Sequence, residues 1–135
     1  MNNNDVYLGN PNLKKANTPH EFTEEEIIEF LKCKEDPVYF ARQYIKIVSL
    51  DEGLVPFNMY DFQEKLINRF HENRFNICKM PRQTGKSTTC ISYLLHYAVF
   101  NDNVNIAVLA NKASTARDLL GRLQLAYENL PSWMQ

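Results

Sequence analysis

Apolar residues recur every three or four positions along much of this chain of 135 residues, which is the pattern of amphipathic helices. The spacing predicts helices over 24–33, 37–44, 60–72, 87–100 and 113–130. Two shorter stretches, 75–80 and 104–109, alternate or run almost continuously in apolar and β-branched residues. That composition is typical of strands, and the second stretch has the character of a buried parallel strand.

Local signals fix several helix starts. Thr23 and Glu26 form a capping-box pattern, and Asp36 followed by Pro37 is an N-cap with proline at the first helical position. Asn58 is the expected cap of the third helix. Between the second and third helices, 45–50 is expected to be extended and 51–53 to form a turn.

The order helix, helix, helix, strand, helix, strand, helix predicts an α/β fold whose two strands are parallel and joined by a right-handed crossover. Two parallel strands alone cannot form a stable sheet covered on both faces, so a truncated domain is expected. The polar stretch 1–19 has no helical period and is expected to be a flexible or extended arm.

Composition narrows the class of protein. The chain is 44% hydrophobic and 12% aromatic, which is enough apolar material for a core, and its formal charge of -1 gives no bulk attraction to nucleic acid. Three widely spaced cysteines suit a reducing cytoplasm. The sequence shows neither a run long enough for a membrane span nor a signal-peptide pattern, so we expect an unexported protein with no membrane partner.

The strongest chemical signal is the run 80–88, Met-Pro-Arg-Gln-Thr-Gly-Lys-Ser-Thr, between a predicted strand and a predicted helix. Backbone N–H groups of such a loop face a phosphate, while Lys86 would add positive charge and the Ser87 hydroxyl would coordinate Mg²⁺. Met80 stands where the full motif has its first glycine, five positions before Gly85. The pattern still predicts a site for MgATP. Its expected ligand-binding residues are Arg82, Gln83, Thr84, Gly85, Lys86, Ser87 and Thr88.

Four stretches in this order resemble the large terminase subunit, the DNA-packaging motor protein of tailed bacteriophages, in its myovirus type. They are the arm segment 7–16, the segment 36–41, the helix start 61–63 and the loop 82–87. The family's loop often lacks the first glycine and carries an Arg-Gln pair before Gly-Lys-Ser/Thr, as this one does. The resemblance covers nearly the whole chain.

The resemblance implies a RecA-like P-loop NTPase fold, here a partial parallel sheet preceded by a helical segment. By this reading 1–19 is the arm, 20–57 a helical subdomain and 58–135 the N-terminal part of the ATPase domain. Phe62 and Gln63 correspond to an adenine-recognition motif, and Arg82 to an arginine that contacts the γ-phosphate. The implied partners are double-stranded DNA, the portal protein and the small terminase subunit. The implied location is the host cytoplasm, transiently at the prohead portal.

Some of the family's parts are missing from this sequence. The acidic Mg²⁺-binding strand, the glutamate that activates water, the coupling motif and the nuclease domain have no counterpart. Phosphate binding alone does not position water for attack, so the chain by itself is expected to hydrolyse ATP poorly or not at all. Two alternatives stay open, a fragment of a helicase-type ATPase and a non-catalytic interaction module from a split or truncated gene.

Overall fold

The computed structural model describes residues 6–49 and 51–135. Residues 1–5 of the predicted arm, and Leu50 of the stretch predicted to be extended, lie outside these ranges. Within them the elements are β1 Val6–Tyr7, β2 Asn10–Lys14, α1 Glu24–Glu35, α2 Pro37–Tyr44, β3 Lys46–Ser49, β4 Gly53–Pro56, α3 Asp61–Glu72, α4 Lys86–Phe100, α5 Ala113–Glu128 and a 3₁₀ helix Ser132–Met134.

The expected RecA-like fold with a partial parallel sheet is wrong. In the described ranges the sheets are two separate antiparallel pairs, β1 with β2 and β3 with β4, and no strands are parallel. The stretches 75–80 and 104–109 carry no strand at all. An extended segment becomes a strand only when a neighbouring backbone takes up its hydrogen bonds. Neither stretch makes a backbone hydrogen bond to another described segment.

Helix starts with strong local signals lie where the sequence predicts them. The Thr23 hydroxyl accepts from the Glu26 N–H at 3.2 Å, and the Glu26 carboxylate accepts from the Thr23 N–H at 2.9 Å. At α2, one oxygen of Asp36 accepts from the backbone N–H groups of Val38 and Tyr39. These side chains satisfy backbone donors that a helix leaves open at its start.

The third helix starts later than expected. Its N-cap is Tyr60 and not Asn58, because the Gln63 side chain reaches back and accepts from the Tyr60 N–H at 2.9 Å. The amphipathic pattern of α1 predicts that its apolar stripe, Ile27, Ile28 and Leu31, faces the core. These three side chains are instead about half exposed, while Cys33 is buried.

The core forms where α2, α3 and α4 pack together, with α1 and α5 against its sides. Phe40 lies at its centre and is fully buried. Its ring meets Phe100 edge to face with centroids 5.4 Å apart, and His96 at 5.5 Å. The buried hydrophobic side chains of the cluster are Cys33, Phe40, Ala41, Ile45, Phe57, Ile67, Leu95, Phe100, Ala126, Leu130 and Met134. Leu95 and Phe100 of α4 belong to this cluster, together with side chains from both halves of the chain. The core packing therefore holds α4 in position.

The two hairpins attach to this helical body. β3 and β4 pair in register from Lys46 with Pro56 to Ser49 with Gly53, around the predicted turn. The β1–β2 hairpin occupies part of the predicted arm, and the Gln135 side chain bonds its backbone at Asn12 and Lys14. Among the helices of the described ranges, none combines the length and the apolar character needed to cross a bilayer.

A buried histidine links α4 to α1. His96 is 3% exposed, and its Nε2 lies 2.8 Å from the Cys33 carbonyl oxygen. A carbonyl only accepts, so Nε2 carries the proton and Nδ1 holds a lone pair that is buried without a partner among the described residues. Burial lowers the pKa of His96 below its ordinary value of 6.5, and the bond to Cys33 only partly opposes this.

We therefore expect the protein to lose stability as the pH falls below about 6.5, because the unfolded chain then binds a proton that the folded His96 resists. Above that pH the imidazole is neutral in both states and the effect vanishes. Urea unfolding at pH 8 and pH 5.5 measures it. His96→Gln keeps a donor near Cys33 and should flatten the profile. His71→Gln removes a nearby charge that also lowers the His96 pKa, so it should reduce the pH dependence without abolishing it. Equal pH profiles for wild type and His96→Gln would contradict this origin.

Candidate functional site

The loop before α4 contains two residues with a left-handed backbone. Gly85 is the N-cap of α4 with φ 72°, and Gln83 also lies in the left-handed region with φ 61°. Residues with left-handed φ among right-handed neighbours turn successive N–H groups toward one side, which creates a concave anion site. A left-handed glutamine is strained, and such residues concentrate at functional sites.

The start of α4 adds further donors. No side chain caps it, and no acidic residue lies in its first turn. As in the first turn of every helix, the N–H groups of Lys86, Ser87 and Thr88 have no acceptor within the helix. Because no side chain caps them, the positive end of this 15-residue helix is open. The start of α5 also lacks a side-chain cap. An open helix start alone therefore does not identify a phosphate site. What distinguishes α4 is the loop before it and the lysine at its first position, Lys86.

Lys86 is bound back onto its own loop. Its Nζ donates to the Met80 carbonyl oxygen at 3.2 Å and to the Pro81 carbonyl oxygen. The Thr84 hydroxyl donates to the same Pro81 oxygen at 3.1 Å. These bonds hold the ammonium group beside the loop. An anion that entered the loop could replace the neutral carbonyls with stronger charge-assisted partners for Lys86.

Arg82, Gln83 and Ser87 are exposed at the loop. Arg82 makes no ion pair or hydrogen bond with any residue in 6–49 or 51–135, so its guanidinium is available to a ligand. The Ser87 hydroxyl is equally accessible. Within the described ranges no group of three or more His, Cys, Asp or Glu side chains is arranged to hold a metal ion.

Thr88 and Thr89 take different places. Thr88 is half-buried and lines a cavity of about 310 Å³ together with Ile45 and Ala126, on the side of α5. Thr89 was not predicted as a site residue, yet it is fully buried and secures the loop. Its N–H and its hydroxyl donate to the Gly85 carbonyl oxygen at 2.9 and 3.0 Å. The repeated threonine at 88 and 89 was the available signal, but the sequence does not show which one turns inward.

Gln63 lies under the loop. It is 4% exposed, its Oε1 accepts from the Tyr60 N–H, and its Nε2 donates to the Thr84 carbonyl oxygen at 3.2 Å. Phe62 is 42% exposed and stacks with the exposed ring of Tyr60, with centroids 5.7 Å apart and planes 8° from parallel. Of the two predicted adenine-site residues, the structure therefore brings Gln63 into contact with the loop, while Phe62 is stacked on Tyr60 at the start of α3. Tyr60 joins them, although no motif in the sequence had pointed to it.

Two of the three cysteines are shielded from solvent. Burial raises the pKa of Cys90, on the first turns of α4. Burial, with Glu29 nearby, raises the pKa of Cys33 to about 12. Both thiols are therefore protonated at neutral pH and poor nucleophiles.

A cavity of about 770 Å³ lies elsewhere, between α3, α4 and the stretch 105–107. Aromatic rings, Arg74 and several asparagines line it, and none of the loop residues 81–88 does. The phosphate-type loop and this cavity are separate features of the surface. No protein-family model matches this chain.

Proposed function

We propose that this chain binds the triphosphate of MgATP at the loop 81–85 and the start of α4. The observation that carries the proposal is the combination of left-handed Gln83 and Gly85, the open start of α4, and Lys86 poised beside them. Backbone donors, a helix N-terminus and a lysine are the groups that proteins use for phosphate. Arg82 would add a planar donor for the terminal phosphate.

The wider role that we propose is that of a large terminase subunit of tailed bacteriophages, or part of one. In that role nucleotide binding would serve the packaging of double-stranded DNA at the portal, together with the small terminase subunit, in the host cytoplasm. The motif order in the sequence supports it. The antiparallel sheets do not support it, because the family's fold implies a parallel sheet. The proposal therefore rests on the loop.

Binding without efficient turnover is the expected behaviour. Hydrolysis needs a group that positions water and an acidic group that holds Mg²⁺. The stretch that follows 104–109 is Ala110-Asn111-Lys112, which supplies no carboxylate. We therefore propose that this chain binds MgATP but hydrolyses it poorly or not at all.

The first test replaces Lys86 with alanine and measures binding of a fluorescent ATP analogue with Mg²⁺. A hydrogen bond to a charged partner contributes about 1.5–3 kcal/mol, so affinity should fall roughly tenfold to a hundredfold. Lys112→Ala is the matched control, because Lys112 is a lysine at the other uncapped helix start, and it should bind normally. A circular-dichroism melt must show that all three proteins are folded.

A second candidate function is a protein-interaction module, favoured by large apolar side chains in contact with solvent. Ile77 is 100% exposed, Leu109 89% and Phe75 82%. Phe75 and Ile77 lie two positions apart on one stretch, and exposed apolar surface of this kind is typical of contact sites when it is contiguous. Folded wild type that ignores ATP, or Lys86→Ala that binds as well as wild type, would contradict nucleotide binding at this loop. The interaction module would then be the better assignment.

A further inference from the structure

We infer that the stretch 104–109 pairs with an extended strand of another polypeptide chain, which enters the cavity beside it and brings alternating apolar side chains and a carboxylate for Arg74. The inference rests on the second candidate function, the protein-interaction module, and gives that module a site and a class of partner. It does not depend on nucleotide binding at the loop 81–85.

The backbone of 104–109 has the course of a strand without the neighbour of one. It runs without a turn or a bend, and none of its backbone groups is bonded to a residue in 6–49 or 51–135. An open strand edge of this kind is a template for pairing with another chain. The backbone donors and acceptors of a second extended segment are the groups that match it.

The side chains of this stretch alternate as those of a strand do. The side chains at 104, 106 and 108 are half-buried and border a cavity with Ala98 of α4 and Leu120 of α5. Those at 105, 107 and 109 are exposed. Alternate residues of a strand point to opposite faces, and the backbone edges lie between these faces. One face of the stretch is therefore covered by the protein, while its backbone edges stay open.

The cavity beside 105–107 has room for a short strand. Its volume is about 770 Å³, and Asn76 of the other extended stretch, 75–80, also lines it. Strands lie about 4.8 Å apart, rise about 3.3 Å per residue and form layers about 10 Å thick, so one residue occupies about 160 Å³. At that volume per residue, the cavity accommodates about five residues of extended chain.

The side chains that line the cavity indicate the chemistry of the partner. Tyr93, Leu94 and Tyr97 of α4 present mainly apolar surface, which suits every second side chain of an inserted strand. Arg74 makes no ion pair with any residue of the described ranges, and it lies 5.2 Å from the centroid of the Phe75 ring. A carboxylate on the partner would therefore meet a positive charge that no acidic side chain offsets.

An NMR titration of the full chain with a synthetic peptide, without nucleotide, tests the inference. The probe is acetyl-Glu-Val-Thr-Val-Thr-Val-amide, which has one apolar face and one carboxylate. Pairing along one edge engages every second residue, so exchange should slow about tenfold at alternate amides of 104–109. The amides of α2, which does not line the cavity, should keep their exchange rates.

Two controls separate strand pairing from apolar adhesion. The same peptide with every backbone nitrogen methylated keeps its side chains but has no N–H donors, and it should bind at least about tenfold more weakly. Arg74→Ala should weaken binding of the glutamate peptide about threefold, as for an exposed ion pair, and should not affect the glutamine version. Arg69→Ala, at an exposed arginine of α3 outside the cavity, is the matched control and should bind both peptides normally.

Several results would overturn the inference. They are unchanged exchange at 104–109 in folded wild type with about 1 mM peptide, and equal binding of the methylated peptide. Slower exchange at higher protein concentration without peptide, together with a dimer in sedimentation, would make the occupant a second copy of this chain. Equal binding of the glutamate peptide by Arg74→Ala would contradict the carboxylate contact. A chain that binds the peptide but ignores MgATP would contradict only nucleotide binding.

Discussion

Phe40→Ala should lower the free energy of unfolding by about 3–5 kcal/mol, the cost of emptying a phenylalanine site in a well-packed core. Phe40 is fully buried on α2, and its ring contacts those of Tyr44, His96 and Phe100. A domain of this kind has a total stability of only about 5–15 kcal/mol. The variant should therefore lie close to the limit of folding at 37 °C.

The measurement is urea unfolding followed by circular dichroism and by the fluorescence of Trp133, the single tryptophan. Trp133 packs edge to face on Tyr44, four positions after Phe40 on α2, so it reports on this part of the core. Phe75→Ala is the matched control, since Phe75 is 82% exposed and should change stability by about 0.5 kcal/mol or less. Similar losses for the two variants would contradict the assignment of Phe40 to the centre of the core.

The helices could be predicted from the sequence because their signals are local. Thr23 with Glu26, and Asp36 before Pro37, complete their hydrogen bonds within four residues of themselves. The predicted turn is local as well: Asp51 and Glu52 form it between β3 and β4, and Gly53, its predicted last residue, begins β4. The start of α3 is set by a local bond as well, since the Gln63 side chain bonds the Tyr60 N–H three positions away and makes Tyr60, not Asn58, the N-cap.

The sheet could not be predicted in this way, because strand pairing is not local. The stretches 75–80 and 104–109 have the apolar pattern of strands, but a pattern supplies no partner for their backbone groups. Which side of a helix faces the core also depends on residues that are distant in sequence. The stripe of Ile27, Ile28 and Leu31 was expected to face the core, yet α1 turns Cys33 inward beside His96 of α4.

The candidate site also has a part that local sequence signals predict and a part that depends on distant contacts. The contiguous run 82–88 could be recognised from the sequence, and the structure places most of it around one loop. The part played by Gln63 could not, since it depends on a contact with Thr84, 21 positions away. Thr89 was missed for a related reason. Its hydroxyl matters only because the helix directs it to the Gly85 carbonyl.

Gly85→Ala should weaken binding of MgATP more than about a hundredfold, because the added Cβ causes both backbone strain and a collision. Gly85 has φ 72°, a left-handed conformation that costs other residues about 1–2 kcal/mol. The new methyl group would also lie 2.4 Å from Gln63 Nε2 and displace a side chain that is hydrogen-bonded at both ends. Those two bonds contribute about 1 kcal/mol each, so the sum is about 3–4 kcal/mol against the phosphate-binding shape of the loop.

Calorimetric titration with MgATP and a thermal melt measure the effect, and the chain offers its own control. Gly121 lies inside α5, and a methyl group added there would meet no other atom within 4 Å, so Gly121→Ala should stabilise the protein by about 0.5–1 kcal/mol and leave binding unchanged. Combining Gly85→Ala with Gln63→Ala removes the collision but keeps the backbone strain. The double variant should therefore lose less affinity than the two single losses added together. Full additivity would mean that Gln63 does not contact the loop at Gly85, and that strain alone explains the glycine.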